Sequence, residues 1–386
     1  MLSLFNLNPE GSMNRKMYIG VDVDDQAFHA CATTEGSKEE HQFACKPNIG
    51  ELVKKLQKIK AQYPNLEINI CYEATYLGFS LYRDLKERGW KCEVIAPSLI
   101  PTKAGRKVKT DKLDSRKLAR YYMKDELTSV HIPSKKEEAI RDFIRSRRFF
   151  KNQLKRLKLH LLSTCRRMGI SYKDTGSKSY WTIKHLNWLN SQIGHFTDPS
   201  FQMNMTILID QINHLVNQIH LYDEQIEQIE QISKTELYAR QVKALTCYRG
   251  IDTLTAMTLI TEFHDIRRFD HPRRLTSYAG MDLQEYSSGG KEIRLRITKM
   301  GNKHIRTSVI EACQLASSLP RVSRRLLEKR KGVDRRYIEI ADRCMNRLYK
   351  KSGRLTRRGK MHNKIKVACA REMLGFIWES LWAAAA

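Results

Sequence analysis

The chain has 386 residues, enough for two or three domains rather than one, and its 41% of hydrophobic residues permits at least one real core. Lys and Arg number 69 against 42 Asp and Glu, a formal charge of +27 that solubility does not require, so the expected partner is a polyanion whose phosphates those cations neutralise. No apolar run approaches the roughly 18 residues of a spanning helix and no signal-peptide core opens the chain, which argues against a membrane protein.

Residues 1–16 lack periodicity and are expected to form a disordered leader, with Met13 and Met17 as alternative starts. From Met17 the pattern is α/β. "MYIGVDV", "FHACATT" and "EEHQFACK" read as three strands, with a turn after "VDVDDQ", and "IGELVKKLQKIKAQY" reads as an amphipathic helix. "EINICYEA" is a buried strand, "GFSLYRDLKERG" a helix ending at Gly89, and "KCEVIAP" a further strand; a last helix starts near Thr110, its expected N-cap. Three strands, a helix, a strand, a helix, a strand and a helix is the order of an RNase H-like domain, expected over 17–132.

A middle region, 133–238, follows. Residues 135–168 read as one long basic helix whose apolar stripe is Ile140, Ile144, Phe150, Leu154, Leu157 and Leu161. After a polar, Trp-containing stretch, Phe201, Met205, Leu208, Ile212, Leu215, Ile219, Tyr222, Ile226 and Ile229 alternate four and three apart, a heptad seam. It predicts a coiled coil within the chain or between chains; a helix packed in its own domain is the alternative.

The C-terminal region, 239–386, is expected to be mostly helical. "LTCYRGIDTLTAMTLITEF" reads as a helix-hairpin-helix element whose turn offers N–H groups to a phosphate. Asp252 stands where many such turns carry a second glycine, so a packing turn is equally compatible. The chain closes on a helix bearing Trp378 and Trp382. Its nine cysteines are scattered without a CxxC pair, so zinc and a disulfide framework lack support and a reducing cytoplasm fits.

The carboxylates carry the chemistry. Asp22 lies inside the apolar frame "YIGVDV", where burying a charge is costly unless a cation compensates. Glu73 follows "INICY" at the end of a central strand, and Asp111 and Asp114 share one helix face at i and i+3. If that helix crosses the sheet, the four converge into a hard-oxygen site for Mg²⁺ or Mn²⁺. Taken singly, each has an ordinary reading: Asp111 favoured by a helix dipole, Asp114 paired with Lys117, Asp22 opening a turn.

"YIGVDV", "CYEAT" and "KTDKLDSRKLA" resemble the D, E and D-x-x-D motifs of the DEDD transposases of bacterial insertion sequences, and "YRGIDTLTAMTLI" and "RRLTSYAGMDLQEYSSGGKEIRLRITKMGNKHIRTSVIEA" continue the likeness. The resemblance runs in order from Met17 to about Trp378. It implies a RuvC-like N-terminal domain, a C-terminal serine transposase domain and a structured bridge RNA that pairs with donor and target DNA. It also implies that Ser288 of "EYSSGG", with Ser287 adjacent, attacks DNA and forms a covalent phosphoserine link assisted by the metal-bound carboxylates. The two domains would then have to act together, within one subunit or across a homo-oligomer (dimer or tetramer) in the bacterial cytoplasm. Arg294, Arg296, Lys299, Lys303 and Arg306 near that serine are candidate phosphate contacts, or an ordinary solvated basic strand and helix. Two rivals remain: a RuvC-like junction endonuclease acting by metal-dependent hydrolysis, and a non-catalytic RNA-binding protein with a decayed nuclease fold.

Overall fold

A computed structural model describes residues 15–101, 111–176, 179–236, 238–288 and 291–385, without the side chains of 226, 227, 286–288 and 291–295. The chain divides into two compact units at Ile132 and Pro133. The leader expected up to residue 16 falls outside the described residues except at its end, where Lys16 already opens the first strand.

In the first unit, β1 (Lys16–Val23), β2 (Phe28–Thr34) and β3 (Glu40–Cys45) form an antiparallel meander. Helix α1 (Ile49–Gln62), capped by Asn48, leads to β4 (Glu67–Glu73), and α2 (Ser80–Glu87) leads to β5 (Lys91–Ile95). Both of these strands run parallel, β4 to β1 and β5 to β4, because a helical crossover returns the chain to the same end. The sheet order is β3-β2-β1-β4-β5. Alternation assigns its two faces. Met17, Ile19, Val21, Ile70 and Val94 pack with Leu52, Leu56, Leu81 and Leu85 of α1 and α2.

The opposite face receives α3 (Asp111–Met123), which buries Ser115, Leu118 and Ala119. Gly20 permits the close seat: a Cβ there would lie 2.4 Å from the Ala119 nitrogen and 2.5 Å from the Ser115 carbonyl oxygen. Arg116 and Arg120 pair with Glu40 of β3, and the Tyr122 hydroxyl donates to Glu93 of β5 at 3.1 Å, so the helix is pinned at both sheet edges. Thr110, the expected cap, lies outside the described residues.

The second unit opens with α4 (Lys135–Arg167), whose Ser134 and Glu137 form a reciprocal capping box. Helices α5 (Ile183–Ile193), α6 (Pro199–Glu224) and α7 (Ile226–Ser233) follow. The heptad seam is therefore not one helix: it breaks at Gln225. Met205, Leu208 and Ile212 pack on Leu161 and Cys165 of α4 within the chain, whereas Ile229 joins a second core. Arg147 pairs with Asp223 and Phe150 meets Tyr222, which makes α4 and α6 antiparallel.

That second core gathers α8 (Ala239–Thr246), α9 (Thr253–Phe263), α10 (Pro272–Tyr278), α11 (Lys303–Ala312), α13 (Arg335–Arg357) and α14 (His362–Ala385); a hairpin of β6 (Leu283–Ser288) and β7 (Lys291–Ile297) lies between α10 and α11, and the short α12 (Arg324–Arg330) between α11 and α13. Trp378 and Trp382 both donate to the Phe269 carbonyl, at 2.7 and 3.1 Å. No helix among the described residues is long and apolar enough to cross a membrane.

Candidate active site

Register places the first acids. Val21 pairs with Tyr72 in the parallel ladder, so Asp22 and Glu73 are the next positions of neighbouring strands. Alternation puts both on the face of Gly20 and Cys71, which α3 covers. On the other side, Asp22 pairs with His29 of β2. Asp111, the first residue of α3, reaches that row: its Oδ2 lies 3.8 Å from His29 Nε2. Asp114 is half-buried one turn further along the helix. Three elements thus bring Asp22, Glu73 and Asp111 toward one end of one sheet face, with both α3 acids in the first turn, where the helix dipole favours them.

The oxygen donors fit a hard divalent cation by their chemistry. The arrangement is open, since among the described residues no group of three or more His, Cys, Asp or Glu side chains is gathered closely enough to hold a metal ion. Sequence reasoning passed over His29. Counting the β1–β2 hairpin outward from "VDVDDQAFHA" would have found it, because closing that turn sets histidine opposite aspartate. All nine cysteines are free and mostly buried; burial pushes the Cys31 thiol beneath α3 up to about 11, so it is no nucleophile at neutral pH.

The serines of the second unit end a strand rather than lying in a loop. Ser287 pairs with Glu292 and Ser288 with Lys291 in the backbone ladder. The foot of this hairpin is tightly built. At Gly301 (φ 149°) a Cβ would meet the Tyr278 carbonyl oxygen at 2.4 Å. Asn302 caps α11 by accepting from the His304 and Ile305 amides, and its Nδ2 donates to Glu262 at 2.6 Å.

Glu262, 3% exposed, receives a two-point fork from Arg145 of α4 at 2.8 and 2.7 Å. Burial alone would raise its pKa, but the Arg145 hydrogen bonds and charge outweigh that and hold it below the ordinary range. Of the candidate phosphate contacts, Arg296, Lys299 and Lys303 are exposed, and the Arg294 side chain lies outside the description. Arg306 is half-buried and braces the foot, donating to the carbonyls of Ala279 at 2.9 Å and Lys299 at 3.4 Å.

The turn before α9 packs inward. Gly250 (φ 93°) abuts the Ala312 carbonyl, 2.2 Å from where a Cβ would stand, and Asp252 caps α9 by accepting from the Thr255 amide at 2.7 Å.

Residues 19–169 match the DEDD_Tnp_IS110 transposase model, and residues 242–328 match the Transposase IS116/IS110/IS902 family. The transposase for insertion sequence element IS1533 of Leptospira borgpetersenii is 30% identical over 349 residues, covering 88% of this chain and 96% of its own. The protein y4qE of Sinorhizobium fredii is 31% identical over 366 residues, covering 94% and 88%. The transposase for insertion sequence element IS1111A of Coxiella burnetii is 21% identical over 311 residues, 78% of each chain. Two matched family regions, together with relatives 30–31% identical over most of both chains, fix the enzyme class: the chain belongs to the IS116/IS110/IS902 family of insertion-sequence transposases, enzymes that recombine DNA.

Proposed function

We propose that this transposase joins DNA through a covalent intermediate on Ser288, with Asp22, Glu73, Asp111 and Asp114 as the assisting carboxylates. The observation that carries the reading is the row formed by Asp22, His29 and Glu73, onto which α3 delivers Asp111. A purely structural acid needs no such company, and like charges brought together cost energy that a cation or a phosphate-bound metal offsets.

The four carboxylates would hold Mg²⁺ or Mn²⁺, which when bound supplies a Lewis acid for phosphate charge. The chain's own step is a transesterification. Ser288 Oγ loses its proton and forms an ester bond to the scissile phosphorus; the bond from phosphorus to one deoxyribose oxygen breaks, and that oxygen takes up a proton. Attack by a strand hydroxyl on the phosphoserine reverses the exchange, so rejoining needs no ATP. Arg294 and Arg296 on β7, with Lys299, Lys303 and Arg306 after it, serve as phosphate contacts. The resemblance supports a bridge RNA that chooses donor and target, and a homo-oligomer that supplies several active sites.

Trapping on end-labelled DNA tests the covalent step. Ser288→Ala is expected to lose the detergent-stable protein–DNA adduct while Ser287→Ala keeps it. Strand cleavage that persists in Ser288→Ala would instead establish hydrolysis. RNA extracted from the purified protein tests the guide, and finding none removes that part.

A further inference from the structure

Between α4 and α5 lies an aromatic cluster that the reaction above does not use. Tyr172, His185 and Trp188 pack with ring centroids 4.6 to 5.7 Å apart, His185 stacked on Trp188 and Tyr172 edge-on to His185, and Trp181 meets His185 edge-on at 5.1 Å. His185 is fully buried and its Nδ1 accepts from the Trp181 amide at 3.2 Å. Its Nε2 and the Tyr172 hydroxyl are buried without a hydrogen-bond partner. These inner rings serve packing.

Trp181 differs from them. It is half-buried, at φ 66°, a left-handed conformation that bulky residues rarely adopt outside strained or functional positions. Lys158 of α4 sets its ammonium 4.7 Å from the indole centroid. Burial lowers the pKa of that amine, and no carboxylate among the described residues pairs with it. Beside them Ile183 is 79% exposed.

The strained backbone, held by the Trp181 amide on His185, sets an indole beside a partly desolvated cation that has no counter-anion among the described residues. A single nucleotide answers both, since its base offers a flat π surface to the indole and its phosphate offers the missing anion. We propose that Trp181 and Lys158 form a binding site for one unpaired nucleotide of a DNA strand. Exchanging strands between two duplexes requires bases to leave their first partners before pairing with new ones, so the enzyme class supplies the ligand; the site does not depend on which residue attacks.

Fluorescence anisotropy of the full-length protein with a labelled 20-nucleotide single strand, and with the corresponding duplex, tests this. Loss of one stacked base, worth roughly 1–3 kcal/mol, corresponds to a fall of roughly 5- to 150-fold in single-strand affinity for Trp181→Ala. Duplex affinity should be unchanged, and Trp181→Phe should stay within about threefold of the parent because any aromatic face stacks. Lys158→Gln should lower the slope of log affinity against log salt by about 0.7, one single-strand phosphate. Equal losses for duplex and single strand, an unchanged Lys158→Gln slope, or an effect confined to a 20-nucleotide RNA would overturn the proposal. Should Trp181→Ala fail to fold, Trp181→Phe and Lys158→Gln still decide it.

Discussion

Glu262 sits in "LITEF", a sequence that gives no reason to single out its one acid, yet it is among the most buried charges of the second unit. Its carboxylate joins α4 through Arg145 to the turn before α11 through Asn302. Glu262 is buried but Arg145 is about a third exposed and keeps some water, so losing the fork costs what hydrogen bonds to a charged group are worth, roughly 1.5–3 kcal/mol. Glu262→Gln is therefore expected to lower unfolding stability by about that amount in urea titrations. The pH dependence has a definite sign. The folded carboxyl is held below its unfolded value near ~4.3, so its stabilisation is present above that value and is lost as pH falls through the folded one. Acidification from pH 6 should thus narrow the gap between parent and Glu262→Gln below roughly pH 4.5. A gap that stays constant down to pH 3 would mean that the ion pair contributes nothing.

At the scale of elements, α3 is placed by what β1 lacks. A side chain at Gly20 meets Ala119, Ser115 and Leu118 at 2.4 to 2.7 Å, two of the three contacts being backbone that cannot turn aside. Gly20→Val should cost about 1–3 kcal/mol by overpacking and lift α3, and with it Asp111, from the row of Asp22, His29 and Glu73. Denaturation and strand-transfer assays should therefore fall together, while Gly353→Ala, in open space on α13, leaves transfer unchanged and gains about 0.5–1 kcal/mol. The sheet was readable because apolar alternation and amphipathic helices dictate their own partners: Ile19 and Val21 can face only one way once β1 is extended. The seam from Phe201 to Ile229 was readable as helix but not as packing, since heptad spacing does not say which neighbour each residue meets; Ile212 faces α4 and Ile229 faces α9's core. The β6–β7 hairpin hid behind "SSGG", a turn signal that masks the strand running into it. Asp22 and Glu73 were legible by motif and by register, whereas His29 and Glu262 owe their places to residues far away in sequence.

Across the whole molecule, the proposed nucleophile and its assisting carboxylates belong to different compact units. Such a division makes a demand that either unit alone would not: a change in the first must silence chemistry in the second. Asp111→Asn is expected to abolish the adduct on Ser288, although Ser288 is untouched. Reduced DNA binding cannot be the cause, because removing a negative charge near a phosphate path strengthens attraction rather than weakening it. Affinity must be compared at one salt concentration, because a chain of charge +27 binds phosphates largely by releasing counterions, and any protein making about 6–10 such contacts loses ~10³–10⁵ in affinity between roughly 50 and 200 mM salt. Measured that way in a chelator, Asp111→Asn should bind DNA at least as tightly as the parent. Adduct formation at the parental rate would detach the carboxylates from the serine and leave the second unit to act alone.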